Sequence, residues 1–385
     1  MGDDYEHTNG DFTGDDEAGI ANIPLEPGRP LDLYVENPNG DVLLRLADRD
    51  DVLVWWEKHG RPGSTWYDEA TVQVAHEDDN RITVKVSLPI VLPVGDFGKS
   101  VLKFLEGGLK GGNPFSMLSG GPVSFDLAVD LPRGAVTADP ARVRVRTANG
   151  DVRIEEVVGT IDVATANGEV TTQGTQGDVT IHAANGDLTL DRPAGRVTAR
   201  TVSGDLTIRG GKLSQFTLNT VNGDATVETA LTGDASRIEG VNGDVRLDLI
   251  LPAATGGTLS VRSVSGDALV APPFRSVAKR TWRIGPGGDG GPSVAVKTVS
   301  GDLNARGMLS DELARTTEPV IATAPVPRQP PTPPAPPAPP ALRTPPAERS
   351  ETVTDPRLAI LQAVERGELD IDEAMRRLDG LGRSE

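Results

Sequence analysis

The middle of this sequence is organised by glycines at a constant interval. Seven of them follow one another at steps of nine residues: Gly150, Gly159, Gly168, Gly177, Gly186, Gly195 and Gly204. At every second step the surrounding segment is similar, as in residues 147–152, 165–170 and 183–188, which share an Asn-Gly-Asp or Asn-Gly-Glu core. The repeating unit is therefore 18 residues long. A fixed period of this kind predicts a repeat architecture, in which each unit buries its apolar residues against its neighbours.

Between the glycines, apolar residues alternate with polar ones. The second residue after each of these glycines is aliphatic, and the fourth is usually apolar. Such alternation in short runs bounded by turn residues predicts one strand and one turn per nine-residue step. Glycine supplies the positive φ angle that the turn needs, and the Asn or Ser before it is expected to hydrogen-bond its own backbone.

Two architectures place two strands and two turns in 18 residues: a flattened parallel β-solenoid and an antiparallel meander. The recurrence of identical residues at every second strand favours the solenoid, because equivalent side chains then stack in register. We therefore predict an all-β fold, a parallel β-solenoid of about eight coils of 18 residues. The motif recurs at wider spacing around Gly223, Gly243, Gly266 and Gly301, where we expect the extra residues to enter as loops.

Changes in composition divide the chain into four predicted segments. Residues 1–29 are interpreted as a disordered acidic tail, and residues 30–307 as the β-strand repeat domain with an irregular N-terminal β cap. Residues 308–350 form a Pro-rich linker, since 13 of the 28 residues from 319 to 346 are proline, which favours an extended polyproline chain. Residues 351–385 carry helix start and stop signals and are predicted to form a small α-hairpin.

Two apolar helical faces are candidates for docking. In the C-terminal hairpin the apolar face includes Leu361, Val364, Met375 and Leu378; because so short a segment cannot bury enough surface alone, it is expected to dock on a protein partner or to self-associate. In residues 96–110 the helically spaced side chains are Phe97, Val101, Phe104 and Leu105. That second segment is interpreted either as a plug of the solenoid end or as a docking site for a membrane surface or partner.

The residue types needed for most chemistry are missing or scattered. The chain has no cysteine, and its four histidines do not have zinc-ligand spacing. A net charge of -18 argues against nucleic acid as a partner. We therefore expect no enzyme activity and no cofactor. Because the N-terminal residues do not resemble a signal peptide, the expected location is cytoplasmic, with peripheral contact at the inner face of the membrane. The aromatic residues Trp55, Trp56, Trp66 and Tyr67 are interpreted as cap packing, with a ligand platform as the alternative.

Acidic residues that follow the repeated glycines would form a column along one edge of a solenoid. The members singled out as candidate calcium ligands are Asp151, Asp187, Asp205, Asp224 and Asp244. Like charges about 4.8 Å apart repel by about 0.9 kcal/mol per neighbour even at the dielectric constant of water. Turn N–H groups, solvent screening or bound cations would have to offset that repulsion, and the first of these is the favoured interpretation.

The repeated Asn/Ser-Gly-Asp-aliphatic motif and the strand ends Leu88-Pro89 and Leu131-Pro132 resemble those of the bacterial putative-adhesin family of β-strand repeat proteins of unknown function. Residues 358–374 are similar to the helical hairpin of LiaX/YvlB-type envelope-stress proteins, in which the hairpin lies at the amino end. The resemblance implies a non-catalytic scaffold or sensor near the cell envelope, which binds a protein or membrane partner. An exported surface adhesin and a calcium-binding β-roll-like protein remain the alternatives.

Overall fold

The computed structural model of this protein describes residues 12–14, 17–77, 79–89, 123–138, 140–233, 235–286 and 291–314. The predicted helix over residues 96–110 and the C-terminal hairpin over residues 351–385 lie outside these ranges, as does nearly all of the Pro-rich linker. Within them no helix is long and apolar enough to cross a membrane.

The described residues form 25 strands and three short helical segments. In chain order the elements are β1 (Phe12–Gly14), β2 (Ala18–Pro24), β3 (Asp32–Asn39), β4 (Val42–Ala47), β5 (Asp51–His59), α1 (Thr65–Asp68), β6 (Thr71–Glu77), β7 (Arg81–Ser87), β8 (Ser124–Pro132), α2 (Arg133–Ala138), β9 (Ala141–Asn149), β10 (Val152–Glu155), β11 (Val158–Asn167), β12 (Val170–Gln173), β13 (Gln176–Asn185), β14 (Leu188–Asp191), β15 (Ala194–Ser203), β16 (Leu206–Asn222), β17 (Ala225–Leu231), β18 (Ala235–Asn242), β19 (Val245–Pro252), β20 (Gly257–Ser265), β21 (Ala268–Val270), β22 (Arg275–Ala278), β23 (Thr281–Ile284), β24 (Ser293–Ser300), β25 (Leu303–Ser310) and a 3-10 helix (Glu312–Ala314).

Strands one repeat apart pair in parallel. Ile161 of β11 lies opposite Val179 of β13, and Val152 of β10 lies opposite Val170 of β12, so the register is the 18-residue repeat itself. The parallel solenoid prediction is therefore confirmed, and the antiparallel meander is excluded for the repeats. Each coil contributes to a ladder of longer strands, called ladder A, and to a ladder of shorter strands, called ladder B. The long strand β16 runs through both, because its first residues pair with β14 and its later residues pair with β15.

Aliphatic side chains from the two ladders fill the space between them. Val163 and Ile181 of ladder A and Ile154 and Leu190 of ladder B are fully buried, as are their equivalents in the neighbouring coils. Burying each such side chain contributes about 1.5–3 kcal/mol. The period-two alternation of the sequence thus sets which side chains lie inside, and the interior is a packed core.

The coils do not follow one another in chain order at the two ends of the rod. At the N-terminal end β3 pairs with both β7 and β9, and β4 pairs with both β8 and β10, so that the later coil β7/β8 lies outside the earlier coil β3/β4. At the other end β24 lies between β18 and β20, and β25 lies between β19 and β21. The expectation that extra residues enter only as loops is wrong, because they form additional strands and allow a later coil to insert.

Antiparallel strands close the N-terminal end. β5 pairs with β8, β2 pairs with β5, and β1 and β6 extend the ladder that ends in β7. The interpretation of residues 1–29 as a disordered tail is therefore wrong for Ala18–Pro24, since the open edge of β5 provides hydrogen-bond partners that composition cannot reveal.

Three of the four aromatic residues of this cap pack as expected. Trp56 and Tyr67 are buried, and Trp66 packs against the core. Lys58 is buried beside them; its Nζ donates to the carbonyl oxygen of Ala70 at 2.8 Å and lies 4.5 Å from the centroid of the Tyr67 ring. These contacts identify the three residues as cap packing, whereas Trp55 is half-buried on the outer side of β5.

Candidate functional site: the Asn-Gly-Asp edge and the basic face

The Asn-Gly-Asp turns stack directly on one another and form one edge of the rod. Gly168 has a φ angle of 144°, and Gly186 has one of 142°. A Cβ atom placed on Gly186 would overlap the carbonyl group of Gly168, and a Cβ on Gly168 would overlap that of Gly150. Glycine is therefore required here twice over, for its backbone angle and for the close approach of successive coils.

The asparagines of these turns hydrogen-bond each other across coils. Asn149 Nδ2 donates to Asn39 Oδ1 at 2.8 Å, Asn167 Nδ2 donates to Asn149 Oδ1 at 2.9 Å, and Asn185 Nδ2 donates to Asn167 Oδ1 at 3.0 Å. The expectation that each asparagine bonds its own backbone is corrected by this ladder. Parallel stacking brings identical amides to hydrogen-bonding distance, and each amide can donate to one neighbour and accept from the other.

The carboxylates after the glycines form a second ladder beside the first. Asp187 Oδ1 accepts from the backbone N–H of Asp205, and Asp205 Oδ1 accepts from that of Asp224, both at 2.8 Å. The same bond recurs from Asp126 at the N-terminal end to the amide of Glu169, and again from Asp187 to the amide of Asp267, which donates to Asp302. Between these two runs the carboxylate of Glu169 accepts from the hydroxyl of Thr171 instead. Because a hydrogen bond to a carboxylate is stronger than one to a neutral acceptor, these bonds offset the repulsion along the column.

The predicted acidic residues therefore come together, but through backbone amides. Asp151, Asp187, Asp205, Asp224 and Asp244 all lie on this edge, each with one oxygen bonded to the next coil. Within the described ranges no group of three or more acidic or histidine side chains is arranged to hold a metal ion. Near the N-terminal end, burial raises the pKa of the Asp41 carboxyl, and the hydrogen bond from the Asp151 amide opposes that rise.

The outer surface of ladder A is basic, although the whole chain carries a net charge of -18. By register, ten basic and five acidic side chains of its parallel strands lie on it, and we call this surface the basic face. Its basic members are Arg81, Lys85, Arg142, Arg144, Arg146, Arg196, Arg200, Arg237, Arg262 and Lys297; its acidic members are Asp32, Glu36, Asp162, Asp178 and Glu239. The acid-rich turns on the neighbouring edge show that the rod separates charge around its circumference.

Several cations of the basic face are held by carboxylates. Arg146 makes a two-pronged contact with Asp162, with Nη2 to Oδ2 at 2.7 Å and Nη1 to Oδ1 at 3.1 Å. Arg144 donates to Asp32 at 2.8 Å, and its guanidinium lies 5.6 Å from the centroid of the Tyr34 ring. Burial, followed by the charge of Glu36, raises the pKa of Tyr34 to about 12.

The outer surface formed by the described residues includes two shallow hollows. One, of about 240 Å³, lies on the basic face, where small residues such as Ala235, Ser293 and Ala295 leave space beside Arg237. The other, of about 410 Å³, lies beside the acidic edge and includes Asp224, Asp244 and Arg246. Neither is lined by aromatic side chains, so they offer no stacking surface for a ring.

The remaining predicted docking residues cannot be placed. Phe97, Val101, Phe104, Leu105, Leu361, Val364, Met375 and Leu378 lie outside the described residues. The sequence reasoning also missed the basic face. Its signal was present as arginines at alternate positions, most clearly in Arg142, Arg144 and Arg146, but becomes a surface only when the coils stack.

Residues 127–307 match the Toastrack DUF4097 family. The match starts within β8 and ends within β25, so it spans the regular coils and the non-sequential coil at the C-terminal end. No curated protein matches the chain.

The solved structures that are similar to this chain include the following three. A putative cell adhesion protein from Clostridium sporogenes is 11% identical, over 76% of this chain and 99% of that one, with a TM-score of 0.25. A putative adhesin from Bacteroides fragilis is 12% identical, over 74% and 96%, with a TM-score of 0.39. A putative lipid binding protein from Parabacteroides distasonis is 10% identical, over 75% and 96%, with a TM-score of 0.32.

Proposed function

We propose that this chain is a non-enzymatic β-solenoid scaffold or sensor that acts near the cell envelope and binds a protein or membrane partner on its outer surface. The observation that carries the proposal is the distribution of side chains. Aliphatic residues fill the inside of the coils, while the charged residues stand outside as linear arrays at the coil spacing. Such an array presents one chemical group repeatedly along a rod, which suits a long partner or a surface.

The basic face indicates the charge of the proposed partner. Its excess of cations would attract an anionic surface, because a local field of one sign attracts the opposite charge even on a protein of opposite net charge. The acidic edge of the rod would be repelled by the same partner. Together they would orient the rod on an anionic surface with the basic face towards it.

The Pro-rich segment and the C-terminal hairpin supply the tethered part of the proposal. In this proposal residues 351–385 are a docking module, and the Pro-rich linker, which extends about 3.1 Å per residue, joins them to the rod. The rod lies at the cytoplasmic side of the envelope. The resemblance to envelope-stress proteins supports that location, and the match of residues 127–307 to the Toastrack family supports the repeat scaffold.

A membrane-fraction pull-down tests this function. Full-length chain, a chain lacking residues 350–385, and a chain with those residues replaced by a Gly/Ser segment of equal length are compared. We expect the full-length chain to recover with membranes or a bound protein, and both altered chains to recover less, since they keep only the contacts of the rod. Recovery of none of the three with any membrane or partner would overturn the proposal. Removal of the chain by protease treatment of intact cells would favour an exported adhesin instead.

A further inference from the structure

The C-terminal end of the rod carries a hairpin unlike the rest of the protein. β22 and β23 form an antiparallel pair that continues ladder A beyond β20. Residues 271–286 contain four basic residues and no acidic one, in a chain with 56 acidic residues and only 38 basic ones. All four residues of β22 are exposed, and no strand among the described residues pairs with its outer edge.

Two arginines of this hairpin face each other across the strands. Arg275 of β22 lies directly opposite Arg283 of β23. Side chains at opposite positions of an antiparallel pair lie about 5 Å apart at Cβ, where like charges destabilise the sheet. Among the described residues no carboxylate pairs with Arg275, Arg283 or Lys279, whereas the basic face pairs several of its arginines. An anion from outside the rod would relieve the repulsion between these cations.

Exposed apolar side chains lie on and beside the hairpin. Val277 of β22 is 51% exposed, and Leu309, whose Cδ2 atom lies 3.6 Å from a Cβ atom placed on Gly285 just after β23, is 40% exposed. Leu269 and Met308 are also exposed, but they stand on the outer side of ladder B, where Leu269 lines the hollow beside the acidic edge. The cations and the apolar side chains of the hairpin suit the interface of a bilayer, where headgroup phosphates meet the acyl chains.

The acidic turn of the last coil lies away from this hairpin. β23 pairs only with Gly257–Ser260, the first half of β20, whereas the turn containing Asp267 follows the end of that strand. Arg280 at the hairpin turn donates to the carbonyl oxygen of Ser263 at 2.8 Å, which fixes the tip against β20. The hairpin is therefore a positioned element with a local charge opposite to that of the whole chain.

We propose that the β22–β23 hairpin is a membrane-contact element, which binds the phosphate headgroups of anionic lipids through Arg275, Lys279 and Arg283 while the neighbouring apolar side chains enter the interface. This inference rests on the proposed function and names one partner surface for it. It adds a contact on the rod itself, separate from the tethered segment 351–385.

Vesicle sedimentation with the purified full-length chain tests the proposal. The wild type is expected to sediment with vesicles of equal phosphatidylglycerol and phosphatidylcholine, and not with phosphatidylcholine alone. Replacing Arg275, Lys279 and Arg283 by Gln should weaken binding about 100-fold. Each basic residue near an anionic surface contributes about 1 kcal/mol to the binding free energy, and about 1.4 kcal/mol corresponds to a tenfold change in affinity. The matched control replaces Arg153, Arg209 and Arg246 of ladder B by Gln, which changes the net charge equally and should leave most of the binding intact.

Thermal unfolding separates binding from folding. Because the Gln variant removes the opposed arginine pair, its melting temperature should equal or exceed that of the wild type. Failure of the wild type to bind anionic vesicles, equal loss in the control variant, or unchanged binding in the hairpin variant would each overturn the inference. Loss of self-association in the hairpin variant with unchanged vesicle binding would assign the hairpin to a second copy and also overturn it. None of these outcomes alters the pull-down that depends on residues 350–385.

Discussion

Replacing Gly186 by Ala tests the stacking of the turns most directly. The backbone at this position has a φ angle of 142°, in a region that is essentially restricted to glycine and costs other residues about 1–3 kcal/mol. The new Cβ would also overlap the carbonyl group of Gly168 in the adjacent coil. Since that obstacle is backbone, a coil must shift, and overpacking of this kind costs about 1–3 kcal/mol more.

The two contributions predict a loss of about 2–6 kcal/mol in the free energy of unfolding. For a domain of this size about 1 kcal/mol lowers the melting temperature by 2–4 °C, so we expect a fall of roughly 4–24 °C. Circular dichroism during thermal and urea unfolding measures it. Gly134→Ala is the matched control, because Gly134 lies in α2 with nothing within 4 Å of the added Cβ.

The control should unfold at or slightly above the wild-type temperature, since alanine favours a helix more than glycine does. An unchanged melting temperature for Gly186→Ala would refute the reasoning, because it would mean that successive turns do not approach each other closely. A similar fall in both variants would show that the loss does not come from the stacked edge.

Three further perturbations test the ladders and the basic face. Asn167→Ala removes the hydrogen bond that Asn167 donates and the one that it accepts, and should lower the free energy of unfolding in urea by about 1–2 kcal/mol. Asn167→Ser should cost less, because Ser203 occupies the equivalent turn. Equal losses in the two variants would contradict a continuous amide ladder. Asp205→Ala and Asp205→Asn both remove the charge, but only the Asn variant keeps an acceptor for the Asp224 amide. The Ala variant should therefore be less stable than the Asn variant by about 1 kcal/mol at any salt concentration. Identical stabilities would argue against that hydrogen bond. The pKa of Tyr34 is raised from 10.0 to about 12, so the folded state holds this proton more tightly and its contribution to stability, complete below pH 10, is lost as pH rises to 12. Tyr34→Phe should remove that part of the alkaline loss in urea titrations, and an identical pH profile in the variant would show that Tyr34 is not involved.

The sequence period carried most of the information about the regular coils. A recurrence of 18 residues predicted which strands pair and in what register, because identical side chains gain from stacking only when strands are parallel. It also predicted the acidic edge and the amide groups as the partners of its carboxylates. The alignment of the acidic residues from Asp151 to Asp244 along one edge thus followed from spacing alone.

Other features depended on which edges were free after the coils had formed. The bonding between Asn149 and Asn167 could not be separated from local backbone bonds in the sequence, since an asparagine side chain reaches either partner. The strand Ala18–Pro24 was not predicted, because its stability comes from pairing with β5, which the sequence of the segment does not reveal. The pairing of Arg275 with Arg283 required the hairpin register, which the turn residues did not specify.

By itself, then, the sequence determined the repeat: its length, its inward and outward residues and the parallel direction of its strands. Only the tertiary structure decided the order of the coils at both ends, the gathering of cations on ladder A and the exposed hairpin at the C-terminal end. The physical reason is that periodicity is written locally in every unit, whereas an irregular segment takes the place left by free hydrogen-bonding edges, and those exist only once distant parts of the chain have packed.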